Sequence, residues 1–447
     1  MSSRVKERVE RGVFVVSLLV LVFILGYATR FFGWFPDRFL ERAWLQADTA
    51  MARAAALPVN GVSPRVYDRQ GARTLDPGDR PTRPTLVTSI WKASGWKPGV
   101  RLIDADGRVL HAWHLDPEKI FRSGSFDPRA WNDPDLQGAV LLPGGDVVVN
   151  VEYVGVVRLD ACSHVLWSLE DRGHHSITRA RGGGFWIPAV AKKDTPRTPA
   201  HPDGLPGLSG AISEDLLTRV SDDGRVLERI NVLDVLYANG LQRLIAKHGE
   251  EHENDITHLN DIEPLPDSLA GGYPMFEAGD LLVSLHNLDL VMVIDPDTHR
   301  VKWHATQPFI HQHDPDWMGD GWIGVFDNEE DGTARGTLLG GSRIVAIRPR
   351  TGTLRTLFPT PESDPFYTSY RGKWQRLPDG DLLLTETRAG RIVQVAPDGH
   401  SVWEWVAPRI DDEHVPEVTE GTRYDVSPDT VASWPCSPAQ PAVPEPS

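Results

Sequence analysis

Short apolar runs broken by tight turns recur along most of this chain, and their phase repeats. LLPGGDVVV (141–149), RARGGGFWI (179–187), PLPDSL (264–269) with GDLLVSL (279–285), WMGDGWIGVF (317–326) and RLPDGDLLL (376–384) each read as strand, turn, strand. Each is followed by a second hairpin around an Asp-Gly, His or Gly turn, often closed by Trp: RLDACSHVLW (158–167), RVSDDGRVL (219–227), VIDPDTHRVKW (293–303), AIRPRTGTL (346–354) and QVAPDGHSVWEW (394–405). A unit of four short strands recurring at roughly 40 to 60 residues is the signature of a β-propeller. Counting the Asp-Gly type hairpins gives six units, so the pattern predicts an all-β, six-bladed β-propeller over 85–407. The first hairpin, LIDADGRVLHAW (102–113), has no Leu-Pro partner just upstream, which predicts that it closes the ring with the last blade's strands.

Outside the repeats the periodicity changes. Val13 to Thr29 is an uncharged apolar run preceded by Arg4, Lys6, Arg8 and Arg11 and followed by Phe31, Phe32, Trp34 and Phe35. That pattern predicts an N-terminal transmembrane helix in residues 1–35, with the basic end cytoplasmic and the rest of the chain periplasmic or extracellular. No small-x-small site closely follows the run and Ala54 to Ala56 lies too far away, so a retained anchor in the inner membrane is expected rather than a cleaved signal peptide. Residues 36–57 have helical spacing, making 36–84 a juxtamembrane helix and linker; 232–252 reads as a second helix. Residues 192–216 read as a long Pro/Gly loop, and 408–447 as an acidic, Pro-rich, partly disordered tail.

Composition narrows the partners. A net charge of −16, from 46 basic and 62 acidic residues without a basic cluster in the blades, argues against nucleic acid. The Trp residues at 113, 167, 303 and 403 occupy one place in the repeat and are expected to pack between blades. There is no nucleotide-binding glycine loop. The cysteines, Cys162 and Cys436, can pair in an exported protein, but sequence does not show that they meet. It leaves the oligomeric state unknown.

The candidate chemistry lies where the blades align. Just before the innermost strand one column holds Gln137, His175, Asn260, His313 and Gly372, and equivalent residues of different blades converge on the central channel. His258 and His311 lie two residues earlier, on the same side of an extended strand, while His174 and Gln312 should point away. The next strand brings Glu152, His286, Asp327, Asn328, Glu386 and Arg388 to the same mouth. Clustered imidazoles serve as bases, nucleophiles or ligands. His175, His258, His311 and His313 could hold a transition metal, but their spacing lacks a metal signature, so no metal and no cofactor are expected.

These residues resemble the bacterial arylsulfate sulfotransferases, which use no nucleotide sulfate donor. The likeness spans roughly residues 85–406 and rests on LIDADGRVLHAW, GHHSI with GGGFWI, HLNDIEPL with GDLLVSLHN, QHD with GWIGVFDN, and RGKWQRLPDGDLLL with GRIVQV and VWEW. It implies a six-bladed propeller that moves a sulfuryl group from an aryl sulfate to a phenol through a sulfated histidine. By that resemblance His313 of QHD is the nucleophile, His258 and Asn260 bind the sulfuryl oxygens, and His175 assists transfer at the phenolic oxygen. One position departs: two residues beyond Ser284 the family pattern has Arg, and here His286 stands there. Arg388 and Arg371 are the candidates to supply the missing cation, with His286, His311, Asp327 and Asn328 completing the substrate-binding set. Two other classes stay open: a non-catalytic binding or scaffold propeller, and a metal-dependent hydrolase or lyase.

Overall fold

The computed structural model describes residues 3–31, 61–92, 95–121, 135–208, 210–248 and 255–436. The chain divides into two units, Met1–Val59 and Asn60–Ser447. The first contains the helix Ser3–Phe31, whose apolar side chains from Val13 to Tyr27 are exposed. Among the described residues no helix is long and apolar enough to cross a membrane. Side chains of this helix are described only from residue 11 to residue 27, and the apolar run continues to Thr29. The expected juxtamembrane helix at 36–57 lies outside the described residues.

The second unit is an all-β propeller of six antiparallel sheets. Blade 2 runs from the axis outward as Leu136–Leu141, Val147–Val151, Gly155–Leu159 and Val165–Leu169. Blade 3 follows with Thr178–Arg179, Phe185–Lys193, Ile212–Val220 and Val226–Asn231, and blade 4 with Leu259–Pro264, Leu281–Leu285, Leu290–Ile294 and Val301–Ala305. His313–Gly319, Trp322–Asp327, Arg343–Arg348 and Thr353–Phe358 make blade 5. Blade 6 is Lys373–Arg376, Leu382–Glu386, Arg391–Val395 and Ser401–Val406, with Gly71–Thr74 added as a fifth, outermost strand.

Blade 1 closes the ring. Its innermost strand is Val418–Arg423 from the end of the chain, paired with Thr85–Lys92, which leads to Trp96–Ile103 and Val109–His114. The propeller therefore does not stop at 407, and this corrects the expected tail. Val62–Pro64 pairs with His414–Pro416, the helix Pro428–Ala432 follows, and Cys436 is bonded to Cys162. Only the last residues, from 437, lie outside the description. The tail sequence looked disordered because a single closing strand, VTEGTR, carries few apolar residues. It is held by its pairing with Thr85–Lys92, not by its own hydrophobicity.

The outer-strand tryptophans pack between blades as expected. Trp113, Trp167 and Trp403 each donate an indole N–H to a turn carbonyl of the next blade: Gly145 at 2.9 Å, Asp222 at 2.9 Å and Ala105 at 2.8 Å. Trp303 packs beside the cluster of Val291, Val293 and Phe309. The expected single helix at 232–252 is two, Val232–Ala238 and Gln242–His248, broken where Gly240 takes a φ of 73° that disfavours side-chained residues. Leu233, Leu236 and Ile245 sink into the apolar cluster shared by blades 3 and 4, so the pair covers a blade junction. The expected loop at 192–216 is shorter: the strands flanking it stay paired up to Lys193 and Ile212.

Candidate active site

The innermost strands lose their regular register where the column sits. Pairing skips between Leu136 and Ala139, Leu259 and Asp261, His313 and Asp316, and Val418 and Glu420. Such bulges kink the strand and re-aim a side chain. At the axis they bring Gln137, His175, Asn260, His313 and Gly372 to the wall of one cavity of ≈ 50 Å³.

His258 and His311 reach the same place by a route the sequence did not indicate. Both have left-handed backbones, φ 47° and 54°, as have His175 at 56° and Arg371 at 56°. They are turned into the site by strained corners instead of lining an extended strand, and such conformations cost about 1–3 kcal/mol each. The outcome is a ring-to-ring cluster. His175 lies 5.0 Å from His258 and 6.0 Å from His313; His286 lies 5.1 Å from His258, 5.1 Å from His313 and 4.4 Å from His311, on which it stacks. Gln312 points away, bonding Ser284 and the carbonyls of Leu285 and Leu290. His174 is buried behind His175, their Nδ1 atoms 2.8 Å apart.

Each imidazole is held by a partner that decides its charge. Asn328 donates its amide N–H groups to the carbonyls of Thr368 (2.9 Å) and Arg371 (2.7 Å), so its oxygen is turned to accept from His313 Nδ1 at 2.7 Å. His313 therefore carries its proton on Nδ1 and a lone pair on Nε2, which accepts from the Arg371 backbone N–H at 3.1 Å. Burial pushes His313 down to about 3, against the raising effect of Asn328, so it is neutral at physiological pH. His175 and His286 are held well below the ordinary value, first by burial and then by neighbouring imidazoles, His258 foremost.

His258 and His311 go the other way. Burial lowers His258, but Asp255, 2.6 Å from its Nδ1, with Asp215 and Glu152 more remote, raises it further, and the net direction is up. His311 is raised first of all by its 2.7 Å hydrogen bond to Glu330. His258 and His311 are thus the imidazoles of the cluster whose hold on a proton is strengthened. His286, which stands where the resemblance has Arg, is neutral; its Nδ1 faces Asn287 Oδ1 at 2.7 Å.

The candidate arginines do not compensate through their side chains. Arg371 lines the cavity, yet its guanidinium is spent on Asp135 (2.7 Å), Glu152 (2.8 Å) and Glu417 (3.1 Å). Its contribution at His313 is its backbone. Arg388 turns to Ser369 at 3.0 Å and Ser63 at 3.5 Å and lies over the Tyr370 ring. Asp327 is also outside the cluster: it accepts from the Ile310 N–H and pairs with Arg343, fixing the segment before His311. The sequence reading missed Asp255 and Glu330, loop carboxylates without repeat phase, and Asn287, whose amide is pinned to the Asp255 carbonyl.

Below the histidines the channel carries an acidic girdle. Lys373 bonds Asp314 at 2.6 Å, with Asp261, Glu263, Asp316 and Glu420 around it. Burial raises Asp261 to about 7 and Glu263 to about 8. Among the described residues, His286, His311 and Glu330 offer metal-donor atoms within 4.8 Å of one another, but a metal there would displace the His311–Glu330 hydrogen bond. Asp160, Cys162 and His164 form the other such group, and the Cys162 sulfur is already in a disulfide.

A model of the arylsulfotransferase (ASST) family matches residues 138–408. No curated protein matches the chain. Among solved structures, a protein of unknown function from Bacteroides caccae is similar at 12% identity and a TM-score of 0.43, over 72% of this chain and 93% of that one. An inactive H270A virginiamycin B lyase from Staphylococcus aureus is similar at 12% identity and a TM-score of 0.39, over 76% of this chain and 89% of its own.

Proposed function

Because the chain belongs to the arylsulfotransferase (ASST) family, we propose that it transfers a sulfuryl group from an aryl sulfate to a phenol, with His313 Nε2 as the nucleophile. The observation that carries this reading is the Asn328 clamp. It fixes the Nδ1–H tautomer of a neutral His313 and leaves the Nε2 lone pair at the polar axial cavity. A neutral imidazole is the form that can attack.

In the first half-reaction Nε2 leaves the Arg371 N–H and bonds to sulfur as the sulfur–phenolic oxygen bond breaks. The departing phenolate takes a proton from a neighbouring imidazole, His258 in its charged form or His175 through it. The sulfated His313 keeps its Nδ1–H on Asn328, so the charge that develops on the ring meets an oriented acceptor. The acceptor phenol then attacks sulfur, the N–S bond breaks, and the phenolic proton returns to the imidazole that gave one up. His258 and His311, whose hold on a proton Asp255 and Glu330 strengthen, favour the anionic oxygens that Arg would otherwise face, and Asn260 lines the cavity with His313. The freed Arg371 N–H can then donate to a sulfuryl oxygen.

The same reading places the propeller outside the cytoplasm on a retained inner-membrane anchor. The apolar run 13–29 behind a basic segment supports anchoring, and the Cys162–Cys436 bond supports an oxidising compartment. The test of the chemistry is incubation with 4-methylumbelliferyl sulfate and a phenol. Fluorophore release that needs the acceptor and disappears in His313→Ala is expected. Turnover that survives in that variant overturns the assignment, and no turnover with any aryl sulfate favours a binding or scaffold role.

A further inference from the structure

Gln137 has no role in the chemistry described so far. It sits in the bulge of blade 2's innermost strand, is 3% exposed, and neither its amide nitrogen nor its amide oxygen has a hydrogen-bond partner among the described residues. Buried amides are almost always satisfied, so one left with both ends unpaired asks for a reason. Its backbone is not loose. Thr88 donates to the Gln137 carbonyl at 3.1 Å, and the Gly138 N–H donates to the His175 carbonyl at 2.8 Å. Gly138 permits that approach, because a Cβ there would lie 2.5 Å from the same oxygen. The side chain is thereby set beside His175 in the wall of the cavity that also holds His313.

A second unsatisfied group faces the same cavity. The Asn260 amide nitrogen is used on the Gln312 carbonyl at 2.8 Å, while its oxygen is unpaired. Two residues that line one cavity thus carry, among the described residues, unpaired buried amide atoms: the N–H₂ of Gln137 from blade 2 and the oxygen of Asn260 from blade 4. A tetrahedral oxyanion carrying a hydroxyl or phenolic partner needs that combination, a donor for a nonbridging oxygen and an acceptor for an O–H.

We propose that Gln137 is a substrate-binding residue whose amide N–H₂ donates to a nonbridging oxygen of the sulfuryl group as it passes between phenolic oxygen and His313. This rests on the sulfuryl-transfer reading but adds a contact from a blade that contributes no histidine. Two variants separate it from a packing role. Gln137→Leu keeps the volume and removes both polar ends. Because nothing in the protein is left unpaired by it, its melting temperature should equal or exceed that of the wild type. Gln137→Glu keeps the shape but replaces the donor with an oxygen.

For Gln137→Leu the expected result is a folded protein with kcat lowered about 10²-fold, as for loss of one oriented oxyanion donor, and a larger loss for Gln137→Glu. As a readout independent of turnover, inorganic sulfate should raise the melting temperature of the wild type and do so less in Gln137→Leu. Unchanged kcat and unchanged sulfate protection in a folded Gln137→Leu overturn the inference. If the wild type turns over no aryl sulfate, the transfer reading fails by itself, and sulfate protection still decides Gln137. A wild type with neither turnover nor protection overturns both.

Discussion

Replacing Asn328 with Ala tests the feature on which His313 depends. The change deletes the shorter of two acceptors at His313 Nδ1, at 2.7 Å, leaving the His311 carbonyl at 3.2 Å, and two donations, to Thr368 at 2.9 Å and Arg371 at 2.7 Å. Thr368 keeps a bond from the Ser342 hydroxyl at 3.1 Å, so the carbonyl of Arg371 bears most of the structural loss. A buried neutral hydrogen bond contributes about 1 kcal/mol and an orphaned acceptor costs about 1–3 kcal/mol, giving about 2–4 kcal/mol of lost stability. For catalysis, losing the orienting bond weakens placement of Nε2 by about 1–1.5 kcal/mol, roughly tenfold. Held only by the longer contact to the His311 carbonyl, the ring also samples the tautomer with a protonated Nε2, which cannot attack. Together these predict a fall in kcat of about 10- to 100-fold with little change in KM. Asn328→Asp separates the two losses: its carboxylate again accepts from Nδ1 while facing the same carbonyls, so it should be at least as unstable as the Ala variant yet more active. Steady-state release of 4-methylumbelliferone and thermal melts read both quantities. A folded Asn328→Ala within about threefold of wild-type kcat, or an Asp variant no better than Ala, refutes the reasoning.

Three further outcomes follow from the charges around the cluster. Because Asp255, together with Asp215 and Glu152, outweighs burial at His258 and raises its pKa, kcat/KM should fall as pH rises past the raised value, and Asp255→Asn should move that alkaline limb to lower pH; a profile unmoved by the substitution contradicts the role given to His258. Asp261 at about 7 and Glu263 at about 8 bind protons in the folded protein that the unfolded chain has lost, so their contribution is complete below the unfolded carboxylate range and disappears as pH rises through 7 to 8. The melting temperature should therefore decline between about pH 6.5 and about pH 8.5, a window above the range in which the depressed histidines oppose it; a flat or rising curve there counts against the buried girdle. Arg388→Ala should leave kcat/KM within about threefold, since its guanidinium serves Ser369, Ser63 and Tyr370; a loss of a hundredfold would restore it as the substitute cation.

Much of the architecture was legible because a propeller writes its repeat into turns and outer tryptophans. Six blades, the Trp contacts across blades and the shared column of Gln137, His175, Asn260, His313 and Gly372 all follow from aligning equivalent positions. What aligned positions do not reveal is backbone that breaks the repeat. The left-handed corners at His258 and His311 and the bulges at Gln137 and Asn260 lie where regular strand geometry gives the wrong account of how a side chain reaches the axis. Charge was harder still. Arg388 lies only one residue from the expected place yet is drawn off by Ser63, far away in sequence, and Arg371 is neutralised by carboxylates of blades 1 and 2. Asp255 and Glu330, which set the charge of the cluster, sit in connecting segments where no period points to them. The closing strand 418–423 was hidden for a related reason: its stability comes from Thr85–Lys92, more than three hundred residues earlier.

The most direct test of the account is to find the sulfuryl group on the protein. The enzyme is mixed with an excess of 4-methylumbelliferyl sulfate without acceptor, quenched at alkaline pH, digested and analysed by mass spectrometry. One SO₃ increment is expected on the peptide that contains His313, lost when phenol is added before the quench and absent in His313→Ala. Fluorophore release without any such adduct, or the increment on a different residue, would contradict it.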